Sequence, residues 1–130
     1  MKSFSFAWKS SISKRKRRKY AATAPLHVKR KFMAAHLAPM LRKKYKRRSF
    51  PLRKGDTVKI MRGQFRKKTG KIERIDRNRT RIYLDTVFQM KRDGSKAPYP
   101  VHPSNVLVMD LILDDKRRRQ AVERNIRKAD

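Results

Sequence analysis

Regular alternation of apolar and polar residues first appears between Pro51 and Leu84. Val58 and Ile60 are separated by a lysine, and this spacing of two is typical of a strand with one buried face. Ile82 and Leu84 repeat the pattern further along. Glycine-containing turns separate these segments, so the region predicts several short strands rather than a helix.

The remaining strands follow from interruptions in the alternation. Ile72 and Ile75 are three residues apart, which predicts a bulge or a strand end between them. Asp93-Gly94 is a hairpin signal, and the returning strand carries prolines that confine it to an edge. The apolar run 106–109 predicts the last strand. Five or so short strands separated by turns indicate a small antiparallel barrel.

Helical spacing of apolar residues occurs on both sides of this region. Thr23-Ala24-Pro25 resembles a helix start, and Pro39 ends or restarts the helix. The apolar positions of the two predicted helices are Val28, Phe32 and Ala35, then Met40, Leu41 and Tyr45. A third helix is predicted from Asp114 as its N-cap, with an apolar stripe of Ala121, Val122 and Ile126.

The net charge of the chain says most about its binding partner. The 130 residues hold 39 Lys and Arg against 10 Asp and Glu, a formal net charge of +29. Residues 1–50 contain 17 basic residues and no acid, so a polyanionic partner is expected. The chain divides into a basic, partly helical RNA-binding extension (1–50), a barrel (51–113) and a helical tail (114–130). A membrane is the main competing partner, but no lipidation signal or sufficient apolar run supports it.

An unbroken basic block runs from Lys14 to Lys19. Free in water, such a block repels itself and stays extended. It is either a localisation signal or solvated tail, or an arm laid along phosphates and ordered on binding. The acid-free stretch around it favours nucleic acid. A basic, serine-containing start is also found in organellar transit peptides.

Catalytic and metal-binding patterns are lacking. The chain has no cysteine, and His27, His36 and His102 are scattered without carboxylates at metal-ligand spacing. There is no phosphate-binding loop or nucleophile motif. The carboxylates Asp76, Asp85 and Asp93 sit in or beside turns, where capping a backbone group or pairing with a nearby Arg is their expected use. We therefore expect no enzyme, no cofactor and no metal.

The barrel region contains a known motif. Gly55-Asp56-x-Val58-x-Ile60-x-x-Gly63, a basic loop and Gly70-Lys71-Ile72 resemble the KOW motif. Further stretches narrow the likeness: Ala24-Pro25-Leu26-His27-Val28 with Arg30-Lys31, Leu41-Arg42-Lys43-Lys44-Tyr45, and Tyr99 to Val106. From about Lys14 to about Arg124, the chain resembles the archaeal and eukaryotic form of universal large-subunit ribosomal protein twenty-four, called protein twenty-six in eukaryotes.

This resemblance implies an SH3-like (KOW) barrel in a structural component of the large, cytoplasmic ribosomal subunit. It implies binding to ribosomal RNA near the nascent-chain tunnel exit, a role in subunit assembly, and neighbouring ribosomal proteins as partners. Neither a membrane nor a homo-oligomer is expected. One departure is Lys67, which stands where the family usually has a second loop glycine. If that position needs a positive φ, lysine there adds strain of roughly 1 kcal/mol.

The residues expected to contact RNA are the basic ones on the predicted arm, helices and loop. They are Lys14, Arg15, Lys16, Arg17, Arg18, Lys19, Arg30, Lys31, Arg42, Lys43, Lys46, Arg47, Arg48, Arg62, Arg66, Lys67, Lys68 and Lys71. Gly55, Gly63 and Gly70 are expected at structural turns. The alternative function is a KOW module of a transcription elongation factor that binds nascent RNA and polymerase. A duplex-DNA-binding chromatin protein is disfavoured, because no recognition helix is evident.

Overall fold

The computed structural model of the protein describes residues 4–124, which form a six-stranded sheet, a separate two-stranded sheet and four α-helices. The strands are β1 (Ala34–Leu37), β2 (Ser49–Pro51), β3 (Thr57–Ile60), β4 (Thr69–Asp76), β5 (Arg81–Leu84), β6 (Phe88–Met90), β7 (Lys96–Pro98) and β8 (Val106–Asp110). The helices are α1 (Lys14–Thr23), α2 (Leu26–Phe32), α3 (Pro39–Tyr45) and α4 (Lys116–Glu123), with 3₁₀ helices at Phe6–Ser10 and Pro103–Asn105. None of the helices described is long and apolar enough to cross a membrane.

The main sheet has the strand order β2-β1-β8-β3-β4-β5. This confirms a mainly β fold with a basic helical extension and a C-terminal helix. Within residues 51–113 the strands pair antiparallel, as predicted. β1, which the predicted barrel did not include, adds to the sheet parallel to β8. One detail of the predicted barrel was wrong: it is not closed, because β8 has β1 on one side and β3 on the other and so offers no free edge to β5.

The predicted strands in the middle of the chain are confirmed. β3 buries Val58 and Ile60, and the register between β4 and β5 shifts between Ile72 and Arg74, where the bulge was expected. β6 and β7 form the predicted hairpin, with Gly94 at a φ of 74°. Period-two alternation and turn glycines are local signals, which is why the sequence revealed these elements.

Ala35 is where the helical prediction was wrong. Its spacing from Val28 and Phe32 is helical, but α2 ends at Phe32 and Ala35 lies in β1. There it pairs with Phe50, and it is buried together with Leu37 on alternate positions of the strand. Pairing with β2 and β8 satisfies the backbone of this segment, and that pairing outweighs the local spacing.

The hydrophobic core draws on all three parts of the chain. Val58 and Val108 lie at its centre with no exposed surface. Leu37 and Phe50 join the same cluster from the N-terminal side, and Val122 joins it from α4. Sharing one core lets a small sheet bury more apolar area than residues 51–113 could bury alone. Where the extension, barrel and tail divide stays a prediction.

A second, smaller cluster holds the N-terminal helices together. Tyr20, Ala24 and Val28 are buried in it, with Phe4, Trp8 and Phe32 packed around them. The ring centroids of Tyr20 and Phe4 are 5.3 Å apart, and those of Tyr20 and Phe32 are 6.0 Å apart. The basic block was expected to be extended in free solution, whereas in the structure it forms the first turns of α1. Tyr20, one residue after the block, anchors that helix.

A buried ion pair between Arg118 and Asp56 joins helix α4 to the main sheet. The N-cap of α4 is Asp115, not Asp114 as predicted, and the Asp115 carboxylate accepts the N–H of Arg117. Arg118 Nη2 donates to Asp56 Oδ2 at 2.7 Å, and the Asp56 side chain has no exposed surface. The predicted stripe residue Val122 is buried, while Ile126 lies outside the described residues.

Candidate nucleic-acid interface

The basic residues expected to contact RNA lie on four parts of the surface: α1, the end of α2, α3 with the loop after it, and the segment 62–71. All of them are exposed except Arg47, which is half-buried. None forms an ion pair with a carboxylate of residues 4–124, where the ion pairs involve Arg53, Arg79 and Arg118. Their positive charge is therefore available to an external anion.

Several carboxylates are engaged by the backbone instead. Asp76 Oδ1 accepts the N–H groups of Asn78 and Arg79, and Asp85 Oδ1 accepts the N–H of Lys71. This confirms the expected use of Asp76 and Asp85 beside turns; no such bond is seen for Asp93 among residues 4–124. With 39 basic residues against 10 acidic ones, the surface keeps a strong positive potential even though these carboxylates remain charged.

Helix α1 presents its basic block in a helical conformation rather than as an extended arm. Lys19 Nζ lies 4.9 Å from the ring centroid of Trp8, which ties the end of the block to the small aromatic cluster. Six consecutive residues on a helix point in all directions around its axis. One RNA strand therefore meets about half of these charges at a time.

The basic residues of α3 and the following loop have additional internal roles. Arg42 Nε donates to the carbonyl of Leu37 at 2.6 Å. Arg47 Nη1 donates to the carbonyl of Ala121 at 2.7 Å, and its guanidinium lies 5.1 Å from the ring centroid of Phe50. Arg47 thus links the loop to α4, so its replacement would affect packing as well as charge.

The loop between β3 and β4 is held in one shape by its own backbone. Lys67 N donates to the carbonyl of Ile60, and Ile60 N donates to the carbonyl of Lys68, both at 2.9 Å. Phe65 packs against the core from within this loop. The basic tips are therefore positioned before any ligand arrives, which lowers the entropic cost of binding.

Two residues of this loop have left-handed backbone conformations. Gly63 has a φ of 93° and Lys67 a φ of 74°. The second value shows that the position where the related family usually has glycine does need a positive φ. A lysine there costs conformational strain, because its Cβ crowds the backbone. Gly70 lies within β4 instead of at a turn, where an added Cβ would collide with the side chains of Thr86 and Asp85.

The strain at Lys67 predicts a measurable difference between two charge-removing variants. We expect Lys67→Gly to have a free energy of unfolding about 0.5–1 kcal/mol higher than Lys67→Ala, because glycine adopts this φ without a Cβ contact. Urea denaturation of the RNA-free protein measures it. Both variants lose the same charge, so their RNA affinities should fall equally. A glycine variant no more stable than the alanine variant would contradict the strain.

A cleft of about 220 Å³ opens beside this loop, against the segment 99–105. Phe65 and Tyr99 meet in it edge to face, with ring centroids 4.9 Å apart. Burial, and then the nearby charge of Arg81, lower the pKa of His102 from its ordinary value of 6.5. The neutral ring accepts the N–H of Ser104 at Nδ1, which leaves its proton on Nε2.

Comparison with known proteins adds the family. Residues 11–125 match the model of the family described as the ribosomal proteins L26 of eukaryotes and their archaeal counterparts. The chain belongs to this family. It is similar to the "Large ribosomal subunit protein uL24" of Methanosphaera stadtmanae, with 46% identity over 112 residues, covering 86% of this chain and 96% of that protein.

Family membership confirms the resemblance carried by the KOW residues and the flanking motifs. The chain is a ribosomal protein, and its family is one of structural ribosomal proteins, not of enzymes. Within residues 4–124, no group of three His, Asp or Glu side chains is arranged to hold a metal ion.

Sequence reasoning overlooked two sets of residues. The first is the lining of the cleft, where Phe65 and Arg81 meet the segment 99–105. These parts are distant in the sequence, so no local pattern marked them as one site. Tyr99 and Asn105 were noted only within the stretch that resembles the family. Arg118 was not singled out from the sequence, whereas the structure buries it on Asp56. Its position four residues before the buried Val122 is the signal that could have shown it.

Proposed function

We propose that this protein is a structural component of the large ribosomal subunit that binds ribosomal RNA and helps the subunit assemble. The observation that carries the proposal is the set of exposed basic residues on four separate elements, with no carboxylate of residues 4–124 paired to them. The family and the similar large-subunit protein of Methanosphaera stadtmanae support the same conclusion.

The mechanism is electrostatic and geometric. Basic residues of α1, α2, α3 and the segment 62–71 neutralise phosphates of several RNA helices and release condensed counterions. The sheet and the hydrogen-bonded loop determine where those charges point, so recognition depends on RNA shape more than on base edges. In this scheme the extension (1–50) supplies most of the binding energy, while the barrel region (51–113) positions the charges.

The remaining elements of the proposal come from family likeness. The protein acts in cytoplasmic ribosomes near the exit of the nascent-chain tunnel, with large-subunit ribosomal RNA and neighbouring ribosomal proteins as partners. Binding several RNA helices at once would hold them together early in assembly, because each contact raises the effective concentration of the next.

Salt dependence tests the proposal. We expect affinity for purified large-subunit ribosomal RNA to fall roughly a thousandfold or more between 50 and 200 mM salt, as for six to ten phosphate contacts. Filter binding or fluorescence anisotropy measures this. In a cell lysate at low salt the protein should sediment with the large subunit. Affinity that barely responds to salt, or co-purification with RNA polymerase instead of the subunit, would contradict the proposal.

A further inference from the structure

The cleft beside the β3–β4 loop has a lining that is basic and free of carboxylates. Arg62 and Arg81 contribute positive charge, and no lining residue is acidic. Their guanidinium groups and the side-chain amide of Asn105 make no hydrogen bond or ion pair within residues 4–124. Because these hydrogen-bond donors line the cleft and have no acceptor within the described residues, they favour an anionic ligand that supplies the acceptors.

The same cleft contains an aromatic pair that is only partly covered. Phe65 and Tyr99 are both half-buried, and both pack against the core from one side. Tyr99 N donates to the carbonyl of Val87, which holds the tyrosine backbone in position. Aromatic rings positioned in this way provide a surface on which an unpaired base can stack.

The size of the cleft limits what can enter. Its volume of about 220 Å³ is below the range of pockets for drug-sized ligands, about 300–1,000 Å³. A single heterocyclic base suits that volume, whereas paired bases inside an A-form helix cannot reach recessed rings.

We propose that this cleft holds one unpaired nucleotide of the RNA. Its base stacks on the Phe65–Tyr99 pair, its phosphate is bound by Arg62 and Arg81, and its base edge meets the amide of Asn105. The neutral His102 offers an Nε2–H donor there without adding a charge. This inference rests on the proposed RNA-binding function and adds a base-reading site to recognition that otherwise depends on shape.

The test uses the full-length protein and two RNA hairpins that differ by a single unpaired nucleotide in the stem. Wild-type protein should bind the bulged hairpin about tenfold more tightly, since stacking one base contributes about 1–3 kcal/mol. Tyr99→Leu should lose that preference while keeping its affinity for the fully paired hairpin. Tyr99→Phe should keep the preference. As matched control, Tyr83→Leu removes another half-buried tyrosine, outside the cleft, and should keep it too.

A fluorescent base analogue, 2-aminopurine, at the unpaired position gives a second measurement. Stacking on the rings should quench it with wild-type protein and with Tyr83→Leu, but not with Tyr99→Leu. Equal affinity of wild-type protein for the two hairpins would overturn the inference but leave the RNA-binding function intact. In that case the cleft would bind something other than RNA, such as a segment of a neighbouring protein. Equal loss for both hairpins in Tyr99→Leu would also overturn it. Salt-independent or absent binding of both hairpins would instead refute the RNA-binding function.

Discussion

Asp56→Ala is expected to lower the free energy of unfolding by about 3–5 kcal/mol, because it removes one partner of a buried ion pair. The Arg118 guanidinium would stay buried without its counter-charge. The N–H groups of Arg53 and Ile112, which donate to the two oxygens of Asp56, would lose their acceptor as well. Urea denaturation of the free protein measures the loss, and the same variant should weaken docking of α4.

The partner residue provides the matched controls. Arg118→Met should destabilise the protein strongly, whereas Arg117→Met, one residue earlier and exposed, should change stability by less than about 0.5 kcal/mol. In the double variant Asp56→Ala with Arg118→Met, the loss should be smaller than the sum of the single losses, since no unpaired charge remains buried. Strict additivity, or a mild effect of Asp56→Ala, would contradict the role assigned to the pair.

Replacing the basic block of α1 by glutamines is expected to lower RNA affinity by roughly a hundredfold or more at 0.1 M salt, as for loss of about three phosphate contacts. The slope of log affinity against log salt should become shallower by about two to three. Glutamine has nearly the same helix propensity as lysine and arginine, so α1 should persist. Anisotropy titrations with large-subunit ribosomal RNA at several salt concentrations, with circular dichroism for helicity, measure both quantities.

The helical form of the block allows a control with equal charge loss. Residues three or four apart share a helix face, so Lys16 and Arg17 lie toward the side of buried Tyr20, and Arg15 and Arg18 lie away from it. Replacing the outward pair by glutamine should cost more affinity than replacing the inward pair. Equal losses would indicate a flexible arm whose charges are interchangeable.

Local patterns predicted much of this protein. The alternation at Val58 and Ile60 located a strand, and Asp93-Gly94 located a hairpin, because strand and turn preferences act over a few residues. The acid-free first fifty residues pointed to a polyanion, since net charge is independent of the fold. The KOW residues led to the family, and the basic loop within the motif led to Lys67.

The features that only the tertiary structure decided are contacts between residues far apart in the chain. Ala35 lies in a strand because β2 and β8 provide pairing partners, and that pairing outweighs a helical spacing. Asp56 and Arg118, 62 residues apart, form an ion pair that neither local sequence indicates. The cleft likewise joins the β3–β4 loop to Arg81 and to Tyr99. The sequence by itself determined the charge and the short-range elements. Long-range pairing and burial determined the sheet order, the buried ion pair and the cleft, because their energies depend on which distant groups meet.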